Sequence, residues 1–96
     1  MRSMNNTSTE KKIRSSATEN EYLSQLYLLL REGSKIVGAR IAKRIGVSPS
    51  AVTQALKRLE KNDLVVLDPD DGISLTVKGQ RQGERVIRRH YLLERL

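Results

Sequence analysis

The four residues Gly46-Val47-Ser48-Pro49, set between two short amphipathic segments, constrain the fold more than any other stretch of this chain. Before them, Ile41, Ala42 and Ile45 recur at i, i+1 and i+4 and line one helical face, while Arg40, Lys43 and Arg44 fall on the other. Gly46 then supplies a residue without a Cβ where a helix that stops abruptly needs a left-handed conformation. Ser48 followed by Pro49 is a helix start: the hydroxyl caps a free N–H, and proline at the first helical position lacks an N–H that would be unpaired anyway. In the second segment Val52, Leu56 and Leu59, flanked by Ala51 and Ala55, form an apolar stripe, which leaves Ser50, Thr53, Gln54, Lys57, Arg58 and Lys61 outward. The whole stretch from Ala39 to Val66 therefore predicts helix, sharp turn, helix and the beginning of a strand. A short polar and basic outer face suits a helix lying in a major groove. Ser, Thr and Gln reach base edges near its start, and Lys and Arg meet phosphates further along.

Charge points to the same class of partner. Eighteen Lys and Arg against eleven Asp and Glu give a net charge of +7, which favours a polyanion. The three aromatic residues are all tyrosine, too few for the stacking platforms of a single-strand or RNA reader, so duplex DNA is the expected partner. No cysteine is present, which excludes disulfides and thiolate metal sites and fits a reducing cytoplasm. One histidine, no cysteine and no convergent nucleophile, base and oxyanion donors argue against an enzyme. No apolar run is long enough to span a bilayer, so no membrane partner is expected.

The remaining elements frame the central motif. Residues 1–17 are rich in Ser, Thr, Asn and charge and read as a disordered basic arm. Thr18 with Glu21 has capping-box spacing and opens a helix, to Arg31, whose Tyr22, Leu23, Leu26, Tyr27, Leu29 and Leu30 are core candidates. After the motif, Leu64 to Leu67 and the alternating Ile73, Leu75 and Val77 flank Asp68-Pro69-Asp70-Asp71-Gly72, the pattern of a two-stranded wing. Acids at its tip argue against minor-groove contact there, and they lack the spacing of a calcium loop. From Lys78 the helical pattern returns and stays apolar up to Leu96, as if the helix continued beyond. The expected fold is mainly α with a small β-hairpin, a winged helix-turn-helix: a DNA-binding domain over 18–77 and, over 78–96, a helix leading on to a missing dimerisation region.

In order and spacing, ENEYLSQLYLLLREG, ARIAKRIGVSPSAVTQALKRLEKNDLV, GISLTVKG and RRHYLLERL resemble the N-terminal half of the diphtheria toxin repressor and manganese transport regulator family. The resemblance implies a divalent-metal-dependent repressor of metal-homeostasis genes, cytoplasmic, homodimeric, acting on a palindromic double-stranded operator. It assigns Ser48, Pro49, Ser50, Thr53 and Gln54 to the DNA-reading turn and Arg58 and Lys61 to phosphates. It also implies a metal set, Glu21 on the first helix with His90 and Glu94 on the last; the last two sit at i and i+4, one helical face. Ser24 stands where the manganese branch carries a second acid, while Glu21 stands where the iron branch tends to carry methionine. The set therefore allows Mn or Fe and leans towards Mn²⁺. The alternative is a metal-independent winged-helix regulator of the multiple-antibiotic-resistance type that senses an organic ligand, and a third class uses the same fold for protein contact.

Overall fold

The computed structural model describes residues 17–33 and 35–95, with side chains as far as Arg89; the arm expected over 1–17 lies, but for its last residue, outside them. Helix α1 (Glu19–Arg31) starts at the expected capping box. Thr18 Oγ1 accepts from the Glu21 N–H at 3.1 Å, and the Glu21 carboxylate accepts from the Thr18 N–H at 2.7 Å, so two otherwise orphaned donors are satisfied reciprocally. Its inner face carries Tyr22, Leu23, Leu26 and Leu29, each essentially sealed from solvent. Burial of such side chains stabilises by about 1.5 to 3 kcal/mol apiece. Ser24 is the one buried polar side chain among the described residues, and its hydroxyl donates to the Glu21 carbonyl at 3.0 Å.

Helices α2 (Gly38–Ile45) and α3 (Pro49–Lys61) meet at the predicted turn. Gly46 takes the left-handed conformation at φ 85°, ψ 40°, which brings the N–H groups of Gly46 and Val47 onto the Ala42 carbonyl at 2.8 and 3.1 Å. The carbonyl is thereby capped and the chain reverses in three residues. Val47 is buried, and Ser48 Oγ accepts from the Ala51 N–H at 3.1 Å to start α3. Ile41 and Ala42 of α2 share one core with Val52, Ala55, Leu56 and Leu59 of α3 and with the inner face of α1.

Strands β1 (Val65–Asp68) and β2 (Gly72–Leu75) pair antiparallel, with Val65 opposite Leu75 and Asp68 opposite Gly72. Leu64, Val65 and Ile73 point into the core. The Ile73 N–H donates to the Ile36 carbonyl at 3.0 Å, which fastens the hairpin to the segment leading into α2. The alternation expected to run through Val77 stops at Leu75. Thr76 is diverted to cap helix α4 (Val77–Arg95): its Oγ1 accepts from the Gly79 N–H at 3.0 Å and donates to the Asp63 carbonyl at 2.7 Å, and its N–H donates to the Leu64 carbonyl at 3.1 Å. Val77 accordingly opens the helix, 65% exposed, rather than ending the strand.

Two glycines set how closely α4 approaches the core. Gly79 and Gly83 are four apart, hence on one helical face. A Cβ on Gly79 would run into the Leu64 carbonyl, and one on Gly83 would lie 2.8 Å from the Leu23 carbonyl oxygen and 3.2 Å from Tyr27 Cβ. Backbone does not yield as a side-chain tip does, so Gly79→Ala and Gly83→Ala are expected to destabilise by about 1 to 3 kcal/mol, Gly79→Ala more. Gly38→Ala, whose new methyl would sit 3.8 Å from Val52 Cγ1 in ordinary contact, should change stability by no more than about 0.5 kcal/mol. Urea unfolding midpoints of the three variants check this ordering.

Candidate nucleic-acid interface

The outer face of α3 is built as the sequence predicts. Pro49, Ser50, Thr53, Gln54, Lys57, Arg58 and Lys61 are exposed, and Ser48 is half-buried at the cap. Hydrogen bonding sorts the polar side chains. Ser48 Oγ holds the Ala51 N–H and lies 3.3 Å from Ser50 Oγ, while Thr53 Oγ1 donates back to the Pro49 carbonyl at 3.1 Å. The Ser48 hydroxyl is thus engaged in starting the helix, and that of Thr53 offers mainly its lone pairs outward. Gln54 has no partner among the described residues, so its carboxamide presents both a donor and an acceptor, the pair that reads an adenine edge. One turn later Lys57, Arg58 and Lys61 leave their charges in solvent.

On α2 two of the three exposed basic side chains, Arg40 and Arg44, are paired, and Lys43 is not. Arg44 places Nη1 2.8 Å from Glu32 Oε2 and donates through Nε to Gln25 Oε1 at 2.8 Å, and Arg40 Nη2 lies 3.4 Å from Glu32 Oε1. Glu32, just past the end of α1, gathers both arginines and ties α1 to α2. These groups are exposed, so the ties are worth at most about 1 kcal/mol each. Their effect is to fix where the arginine heads lie. The pairing joins residues 8 to 19 apart in the chain, and nothing in a local pattern announces it.

At the wing tip Asp68 accepts from the Asp70 and Asp71 N–H groups at 2.7 and 2.9 Å. This acid builds the turn. Those bonds, first Asp71 and then Asp70, hold the Asp68 carboxyl below its ordinary value of 3.8, with a smaller contribution from Lys35.

Of the expected metal set, Glu21 is half-buried on α1 with its carboxylate on the Thr18 N–H, and Ser24, one turn on, brings a hydroxyl turned onto the backbone in place of a second carboxylate. His90 and Glu94 belong to the last turns of α4, where the side chains lie outside the described residues. Among the described residues no group of three or more His, Cys, Asp or Glu is disposed to hold a metal ion. Glu21 by itself is a hard oxygen donor, suited to Mn²⁺ or Fe²⁺ but only part of a coordination shell.

A family model described as iron dependent repressor, N-terminal DNA binding domain, matches residues 15–73. The chain belongs to that family. The fold is shared with the manganese regulator SloR, at 36% identity over 76% of this chain and a TM-score of 0.69, and with ScaR, a structure with bound Zn²⁺, at 34% over 77% and 0.68. The match takes in 34% of each of those proteins, so this chain spans about a third of their length. MepR of Staphylococcus aureus, a transcription regulator of a multidrug efflux pump, shares the winged-helix fold at 22% identity over 81% of this chain and 63% of its own, with a TM-score of 0.60. Family membership makes residues 15–73 an N-terminal DNA-binding domain of the iron-dependent-repressor kind. No helix among the described residues is long and apolar enough to cross a membrane.

Because the folded carboxyl of Asp68 titrates below the unfolded one, its contribution is complete above the unfolded value of about 3.8 and disappears as pH falls through the lower folded value. The amide resonances of Asp70 and Asp71 should therefore shift with a midpoint below 3.8. In Asp68→Ala that transition should vanish and the turn loosen at every pH.

Proposed function

We propose that this chain reads duplex DNA with the first two turns of α3 and forms the DNA-binding part of a divalent-metal-dependent repressor of metal-homeostasis genes. The observation that carries the reading is the outer face of α3: an exposed carboxamide and hydroxyls near the helix start, free of acids in the first turn, followed by Lys57, Arg58 and Lys61. Ser50, Thr53 and Gln54 face base edges, Ser48 and Pro49 set the entry of the helix, and Arg58 and Lys61 hold phosphates. Such a protein acts on a palindromic operator as a homodimer assembled through chain beyond this domain, in the cytoplasm.

The metal reading rests on family membership and on the Mn²⁺ and Zn²⁺ named for SloR and ScaR. Glu21, His90 and Glu94 are the residues of this chain that would hold the ion, Mn or Fe. A divalent cation bound by carboxylate oxygen and imidazole nitrogen supplies concentrated positive charge and a link between the elements bearing them. The chain's own part is to place Glu21 at the start of α1 through the capping box and to carry His90 on α4.

Gln54→Ala should weaken binding to an operator selected from a random pool by about 1 to 3 kcal/mol and leave a scrambled duplex nearly unaffected, whereas Lys61→Ala should weaken both alike. Band-shift titrations on the two duplexes separate these outcomes, and equal losses for Gln54→Ala would remove it from base reading. For the metal, fluorescence anisotropy of the labelled operator with and without Mn²⁺ should show a response of only a few-fold in this chain, lost in His90→Ala. A flat response in the same protein extended by a family-like dimerisation region would favour the metal-free, organic-ligand-sensing regulator instead.

A further inference from the structure

Helix α4 carries more positive charge than the fold puts to use. From Val77 to Arg89 it bears Lys78, Arg81, Arg85, Arg88 and Arg89 against a single acid, Glu84. Glu84 is taken by Arg88 at 3.1 Å. Arg81, Arg85 and Arg89 remain exposed, and none of them meets a carboxylate among the described residues. They recur at i, i+4 and i+8, so they form one stripe along about 12 Å of helix.

Folding alone works against this arrangement. Like charges four residues apart repel along a helix, and basic groups in the first turns oppose the positive end of its dipole. Lys78 and Arg81 lie in those turns, where the helix has no acid. A charge pattern that costs the free protein stability is relieved when a polyanion covers it.

Position names the polyanion. Lys78 Nζ donates to the Asn62 carbonyl at 3.2 Å, so the stripe begins where the basic outer face of α3, ending in Lys61, leaves off. Lys78, Arg81 and Arg85 line one shallow depression of about 470 Å³ whose rim includes Asp63, immediately beyond the end of α3, and Gln82. Asp63 is the acid on that rim and Glu19 lies beside it, accepting from Gln82 at 3.5 Å and from Asn62 at 3.3 Å, so three cations face two acids. Lys78 thus connects the end of α3 to the basic side of α4.

From this continuity we infer that Arg81, Arg85 and Arg89, entered through Lys78, are a second contact for duplex DNA, gripping phosphates that flank the segment read by α3. The contact is sequence-independent and rests on the proposed DNA reading by α3. Its signature is the salt dependence of binding: the slope of log K against log salt becomes shallower by about 0.9 for each phosphate the protein no longer holds.

The test uses the full 96-residue chain and a random-sequence duplex titrated by anisotropy at several salt concentrations. Replacing Arg81, Arg85 and Arg89 together by Gln should reduce the slope by about 2.7, which over roughly 50 to 200 mM salt makes the affinity loss about 40-fold smaller than in wild type. Arg85→Gln alone should reduce it by about 0.9. The corresponding triple Lys variant should keep the wild-type slope. An unchanged slope in the Gln variants, with circular dichroism showing them folded, overturns the inference while leaving the α3 reading intact; so does an equal reduction in the Lys variant, which would trace the effect to shape rather than charge. A wild-type chain that does not bind the duplex at all would overturn both readings together.

Discussion

The closeness with which α4 lies on two backbone carbonyls, those of Leu64 and Leu23, sets the position of everything else in this domain. Gly79 meets the residue just before β1, and Gly83 meets the middle of α1. One helix thus spans the start of the hairpin and the core helix at a separation no side chain would permit. Thr76 fixes where that helix begins, by holding the Gly79 N–H and the Asp63 carbonyl at once. The end of α3, the hairpin and α4 are consequently joined within a few residues of one another, and the outer face of α3 is presented from a frame that starts far from it in sequence.

Large and small forces divide the work. The sealed side chains of α1, with those of α2 and α3 that share their core, supply the stability, because apolar burial sums over a large area. The exposed ties from Glu32 to Arg40 and Arg44 contribute little energy, but they set one negative charge against two positive ones and fix where the guanidinium groups lie. Most basic side chains without a carboxylate partner among the described residues lie on α3 and α4, with Lys43 on α2 and Arg31 on α1 apart from them, and that bias shapes the electrostatic footprint a duplex meets.

Much of this was legible in the sequence because it is local. The capping box at Thr18 and Glu21, the left-handed Gly46, the Ser48 cap and the outward set of α3 each follow a short-range pattern, and each stands as predicted. The features that were not legible join distant residues. Gly83 and Leu23 are sixty positions apart, so the need for glycine leaves no periodic trace in a helix whose apolar pattern is otherwise ordinary. The end of the wing was misplaced because Thr76 and Val77 continue the alternation of β2 perfectly well; only the Asp63 and Leu64 carbonyls, offered by another part of the chain, turn Thr76 into a cap. Likewise Arg40 and Arg44 look outward on a helical projection, and a single glutamate beyond the end of α1 reassigns them. Of the expected metal set, Glu21 alone has a described side chain, and it is already at work on the backbone.

The bond from the Ile73 N–H to the Ile36 carbonyl has a mechanical meaning. It welds the hairpin to the lead-in of α2 at one end, while Thr76 welds it to the exit of α3 at the other. Wing and helix pair are therefore cross-braced, like two members of a truss, and neither can tilt against the other without breaking a hydrogen bond to the backbone. Any displacement that keeps both bonds must carry the wing and the helix pair together.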